Sequence, residues 1–268
     1  MRVSRKWSSE DVESDESFSR FPFNVPAVRS LETLDFETPV TFFVGENGSG
    51  KSTLLEALAI AAELHAYGSD PTLHDRSLAP QRHLAERLRL AWGRRTRRGF
   101  FLRAEDFFGY LKRQARDDAR LARERAEALG LSPTPEPLDQ NEHHDEWGSA
   151  RYVERHDNKS HGESFIELFA TRITGGGIYL LDEPEAPLSP TRQVALLAHM
   201  MKATAAGAQL VIATHSPIIL GFPGARIYSF DETPIQDVRY ETLEHVAVTR
   251  RFLNDRSSLL KAIAEDDG

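Results

Sequence analysis

The chain has 268 residues, 40% of them hydrophobic, with 41 acidic against 33 basic side chains and a net charge of −8. That length bounds it to one large domain, or one domain with an insertion, and the acidic balance excludes a protein that binds nucleic acid through overall basic charge. The absence of cysteine excludes disulfides and thiolate metal sites. No apolar run approaches the roughly 18 residues of a membrane span, and the first 20 residues lack the apolar core of a signal peptide, so the expected location is the cytoplasm.

Residues 1–20 are polar and are expected to be poorly ordered or edge structure. Two strands are expected between about 27 and 44, the second being the β-branched and aromatic "PVTFFVG". Residues 51–66, "KSTLLEALAIAAELHA", carry apolar positions at helical spacing. A loop is expected over 67–81, a helical stretch near 82–91 and a strand at 99–105. Charged helices fill 106–129, and a Pro- and His-containing loop fills 131–159. The remainder alternates: helix 162–172, strand "IYLLD", helix 190–205, strand "AQLVIATHS", short strands over 225–240 and helices over 241–264. Such alternation implies an α/β fold with a mostly parallel sheet flanked by helices. The expected organisation is a single domain over 1–268, with a helical lobe inserted over about 82–159.

Three segments carry chemistry. "GENGSGKST" comprises Gly45, Glu46, Asn47, Gly48, Ser49, Gly50, Lys51, Ser52 and Thr53, and matches G-x-x-x-x-G-K-[ST] between a strand and a helix. Its glycines let backbone N–H groups turn inward around phosphates, and the helix N-terminus adds partial positive charge. Lys51 is expected to reach the β- and γ-phosphates, and Ser52 to offer its hydroxyl to Mg²⁺. In "GIYLLDEPEAPLSP" an apolar strand delivers Asp182 and Glu183 at its C-terminal end, where α/β sheets place ligands. Asp182 is expected to hold Mg²⁺, and Glu183 to deprotonate the attacking water. "LVIATHSP" ends a third strand at His215, placed to touch the γ-phosphate or that water. A quieter stretch, "NKSHGESF", holds a capping box, Ser160 followed by Glu163, which fixes a helix start at Gly162.

In this order the three segments resemble ABC-type ATPases. "DEPEAPLSP" and "ATHSP" are similar to the non-transporter branch that includes SMC, RecF and OLD-type proteins, over roughly residues 20–240. "RRGFFLRAEDFF" resembles a small family of predicted ATPases within that branch. The resemblance implies ATP and Mg²⁺ as cofactors and a head-to-tail homodimer. There "SHGES", 22 residues before Asp182, serves as the signature motif; Ser160, Gly162 and Glu163 of one copy close over the ATP of the other. It further implies ATP hydrolysis coupled to DNA repair or recombination, phage defence or a partner protein. The alternative is the nucleotide-binding subunit of a membrane transporter. The chain departs from the family in lacking an obvious Q-loop glutamine: Gln81 precedes a helix, and Glu105 follows the "GFFLRA" strand where that residue belongs. Phe21 or Phe23 stands where an adenine-stacking aromatic is expected, although core or edge packing explains both.

Three further features have plainer readings. "RRTRR", 94–98, could contact a phosphate backbone, but with a net acidic chain it reads first as a solvated turn or as partner to the chain's own acids. The histidines of 142–156 read as a loop without metal, and "ARLARERAEAL" as an exposed helix with i, i+4 ion pairs.

Overall fold

The computed structural model describes residues 1–67, 79–93, 95–107, 109, 120, 124 and 161–266. The expected helices over 106–129, the histidine-bearing loop and Ser160 therefore lie largely outside the described residues.

Strands β3 (Val40–Val44), β4 (His65–Ala66), β6 (Gly99–Arg103), β7 (Gly177–Asp182), β8 (Ala208–Ala213), β9 (Arg226–Ser229) and β10 (Gln236–Val238) form one sheet in the order β10-β9-β3-β8-β7-β6-β4. All its pairings are parallel except β9 with β10. The central strands read as continuous apolar runs because both faces are covered. Alternate side chains still sort into two cores. Phe43, Ile178, Leu180 and Val211 face one side with α3 (Lys51–Ala61). Phe42, Tyr179, Leu181 and Ile212 face the other with α5 (His161–Arg172) and α6 (Pro190–Ala205). Leu54, Leu55 and Leu58 of α3 are each no more than 1% exposed, a burial worth about 2 kcal/mol apiece.

The first 20 residues are structured, contrary to the expectation. β1 (Arg2–Arg5) is the middle strand of a three-stranded antiparallel sheet, between β2 (Thr33–Asp35) and β5 (Leu88–Ala91). Short α1 (Ser9–Ser14) starts on a capping box: Asp11 N–H donates to Ser8 Oγ at 3.2 Å, and Ser8 N–H to the Asp11 carboxylate at 2.7 Å. The apolar anchors here are few and irregularly spaced, so no periodicity betrays them. Trp7, Phe18 and Phe23 nonetheless form a buried aromatic cluster, with Phe18 and Phe23 ring centres 4.8 Å apart. Arg87 stacks over Phe18 and pairs with Asp15 at 2.9 Å.

Other boundaries shift for identifiable reasons. Where two strands are expected from 27 onward, the chain first makes a turn of helix, α2 (Pro26–Arg29), with proline at its start. Helix α3 stops at Ala61, because Glu63 takes a left-handed φ of 57° and turns the chain into β4. The helix expected over 82–91 is two elements: α4 (Ala79–Glu86), then β5, in which Leu88 turns inward and Arg89 outward and Leu90 pairs with Val3 of β1. Beyond β10, α7 (Glu244–Asn254) and α8 (Arg256–Asp266) end the described chain.

The entry to β6 is the tightest backbone approach in the main sheet. Gly99 has φ 140°, and a Cβ there would lie 1.7 Å from the carbonyl oxygen of Ile178. Gly99→Ala is expected to cost about 3 kcal/mol, the scale of overpacking plus backbone strain, read as a lower urea midpoint at unchanged slope.

Candidate functional site

The site forms where β3, β7 and β8 end together. β3 runs into Gly45, whose φ of 144° is followed by 84° at Gly48 and 104° at Gly50. Glu46, Asn47 and Gly48 are exposed at the loop tip, with Ser49 half-buried behind them. A Cβ on Gly50 would sit 2.7 Å from Val25 Cγ1, so the residue before α2 closes one side of the loop. Asp231, beyond β9, closes the other by accepting the Glu46 N–H at 2.6 Å. No side chain caps α3 at Gly50, so the first-turn N–H groups, those of Ser52 and Thr53 among them, are available to an anion.

Lys51 is 5% exposed and folds back over this loop. Its Nζ donates to the carbonyls of Gly45 at 2.5 Å and Glu46 at 2.9 Å. Burial lowers its pKa, opposed by the negative charges of Glu183, Asp231, Asp182 and Glu46. One ammonium thus stands among four carboxylates, held only by backbone oxygens that phosphate oxygens can replace.

Ser52 faces β7. Its hydroxyl donates to Asp182 Oδ1 at 3.0 Å, joining the end of the glycine loop to the end of the central strand. Asp182 is 8% exposed, and burial pushes its pKa up to about 6, against the opposing pull of Ser52 and the Arg103 charge. The next residue, Glu183, leaves the strand at a left-handed φ of 50°. That backbone is uncommon for a non-glycine residue; it is fixed by the Glu183 N–H donating to Ala213 O at 2.9 Å. The turn sets the Asp182 side chain inward and the Glu183 side chain exposed, with its charge acting on Lys51.

His215 follows β8 and is held from the β7 side. Its backbone N–H donates to Glu185 Oε1 at 2.7 Å, and Thr214 also hydrogen-bonds that carboxylate. Burial raises the pKa of Glu185. Ser216 locks the next turn by donating to Gln193 of α6 at 2.6 Å. Among the described residues His215 Nε2 is buried without a partner, as is Nε2 of His245 on α7. The His245 pKa is lowered by burial and then by His215.

Glu185, Arg103, Asp231 and His245 are therefore residues of this site that the motif reading passed over. Glu185 lies inside "DEPEAPLSP" and Arg103 inside "RRGFFLRAEDFF", but neither was singled out; Asp231 and His245 lie in no quoted segment. The structure thus brings together Gly45 through Thr53, Asp182, Glu183 and His215. Gly162 and Glu163 are placed separately, at the start of α5. Ser160 lies outside the described residues. Glu163 pairs with Arg192 of α6 at 2.8 Å, and a Cβ on Gly162 would meet the same arginine at 2.7 Å.

Several secondary candidates are also placed. Glu105 is exposed past the end of β6, and Gln81 is buried in α4. Phe23 is 1% exposed within the aromatic cluster, whereas Phe21 is 49% exposed. Within the 94–98 run, Arg95 pairs with Glu63 at 3.5 Å and Arg98 donates to Thr174 at 2.6 Å, so these cations meet partners of their own chain. The 142–156 cluster lies outside the described residues.

The burial of Asp182 has a measurable sign. Its native pKa of about 6 lies above the ordinary 3.8. Between those values the native state binds more protons than the unfolded chain, so stability from this group falls as pH rises through that window. Without divalent cation, Asp182→Asn is expected to gain on the parent protein by about 1–2 kcal/mol between pH 5 and pH 7. Urea unfolding at both pH values checks this; a flat difference would mean that Asp182 ionises as it does in water.

Comparison with known proteins agrees with the geometry. A family model described as "AAA domain" matches residues 22–77. A second, described as "AAA domain, putative AbiEii toxin, Type IV TA system", matches residues 75–221, more than half of the chain. No curated protein matches. Among solved structures, the SMC head domain from Thermotoga maritima is similar at 14% identity and a TM-score of 0.37, over 77% of this chain and 93% of that one. A metal-chelate-type ABC transporter chain in an inward-facing conformation is similar at 16% identity and a TM-score of 0.40, over 80% of this chain and 77% of that one. Among the described residues no helix is long and apolar enough to cross a membrane. The chain belongs to the AAA-domain family of the second match, whose matched residues include the strand-end carboxylates Asp182 and Glu183 at the edge of the parallel sheet.

Proposed function

We propose that this chain hydrolyses ATP with Mg²⁺, in an active site completed by a second copy of itself, and couples turnover to DNA or a partner protein. The observation that carries the reading is the Ser52–Asp182 hydrogen bond with Glu183 exposed one residue further on. A hydroxyl and a buried carboxylate make a hard oxygen donor pair of the kind Mg²⁺ takes. The upward pKa of Asp182 is what a neighbouring cation would relieve. When bound, the ion would neutralise phosphate charge.

The chain's own residues supply the rest. The loop from Gly45 to Thr53 cradles the phosphates, and Lys51 exchanges its two carbonyl partners for β- and γ-oxygens. Water attacks the γ-phosphorus, Glu183 takes its proton, and the bond to the β-phosphate oxygen breaks to leave ADP and phosphate. His215, fixed through its N–H by Glu185, orients the water or the γ-phosphate. Ser160, Gly162 and Glu163 serve the nucleotide of the other copy, with Arg192 bracing Glu163 at the start of α5. The matched family's description as a toxin of a type IV TA system supports a setting of that kind over membrane transport.

Glu183→Gln is expected to retain ATP affinity, to slow hydrolysis by about 10²–10⁴-fold and to accumulate as a dimer in ATP, read by light scattering. Normal turnover would remove Glu183 as the base. Specific activity of the unaltered chain should rise with protein concentration; a constant value would make the site complete within one copy. Stimulation by DNA that falls with added salt would identify DNA as the coupled partner.

A further inference from the structure

Ser52 and Glu56 stand one turn apart on the same face of α3. Ser52 reaches Asp182, and Glu56 forms an ion pair with Arg103 at the end of β6. Arg103 and Asp182 are register partners on adjacent parallel strands, so their side chains leave the same face of the sheet. The four residues form a rectangle, two corners on the helix and two on strand ends. Its helix-to-sheet sides are bonded. The side between Arg103 and Asp182 is not, although a guanidinium and a carboxylate are its two corners and Asp182 feels the Arg103 charge.

Glu56 is the unusual member. It is 4% exposed in the middle of an apolar helix face, and its Oε2 has no hydrogen-bond partner among the described residues. A buried carboxylate is costly, and an apolar residue of similar size commonly serves stability as well or better. An arginine beside a carboxylate favours a bidentate fork that would occupy both of its oxygens. Something must therefore hold Arg103 aside if Asp182 is to meet a metal.

We propose that Glu56 is a positioning residue that holds Arg103 off Asp182 and so keeps that carboxylate open to Mg²⁺, an inference that rests on the ATPase reading above. Arg103 then lends its charge to the site without closing it.

The test measures binding of a fluorescent ATP analogue in EDTA and across a Mg²⁺ titration, for the unaltered chain and for Glu56→Gln, Arg103→Gln and the double variant. Glu56→Gln is expected to raise the half-saturating Mg²⁺ concentration about tenfold or more, with nucleotide affinity in EDTA unchanged. The double variant, with no arginine left to misplace, is expected to return to the original Mg²⁺ requirement, and Arg103→Gln is expected not to raise it. An unchanged requirement in Glu56→Gln overturns the inference. So does a double variant as impaired as Glu56→Gln, which would make the pair a structural tether only. Should Glu56→Gln fail to fold by thermal unfolding, Glu56→Asp takes its place: it keeps the charge but shortens the reach. It should raise the requirement by a smaller factor, and no rise overturns the inference. If the unaltered chain binds the analogue with no response to Mg²⁺, the ATPase reading itself fails. If it responds and the variants match it, only the role of Glu56 fails.

Discussion

The hydrogen bond from Ser52 to Asp182 is the constraint around which the site is arranged. It fastens the first turn of α3 to the end of β7, so the glycine loop cannot shift independently of the central strand. The parallel register extends this fixity sideways. Asp182 is level with Arg103 on one neighbour and with Ala213 on the other, and His215 begins two residues later. Side chains from sequence positions more than 100 apart thereby converge without any loop having to carry them. The two cores above and below the sheet hold that register, because slipping any strand by one residue would exchange its buried faces.

Much of this was legible in the residues alone. A glycine loop of fixed spacing, an apolar strand ending in two acids and another ending in histidine each specify a place at the same edge of a parallel sheet. Burial on both faces made the central strands easy to recognise as unbroken apolar runs. Helix α6 was equally clear: the expected 190–205 matches Pro190–Ala205, and the structure adds Ser189 as its cap.

What escaped the reading has a common physical character. The N-terminal sheet depends on pairing between Val3, Leu34 and Leu90, which lie far apart in the chain. Its core is aromatic side chains drawn from irregular turns, so no local period announces it. β5 is too short for two-residue alternation to outweigh the helix that precedes it. Arg103 and Asp231 look like ordinary charges at strand ends; only the register of β6 sets Arg103 level with Asp182, and only the course of β9 brings Asp231 to the glycine loop. Glu56 is hidden differently, since an acid within a helix reads as a surface residue until its face is known.

The left-handed backbone at Glu183 has a bearing on how such a site ages. Glutamate is a poor occupant of that conformation; glycine and asparagine adopt it with less strain. If Glu183 is the base proposed above, turnover keeps glutamate at a position whose backbone, fixed by the bond to Ala213, suits other residues better. A descendant of this chain relieved of turnover, kept only as a scaffold or as a decoy, would become more stable by drifting to asparagine or glycine there. The identity of that single residue would then distinguish working copies from silent ones without any assay.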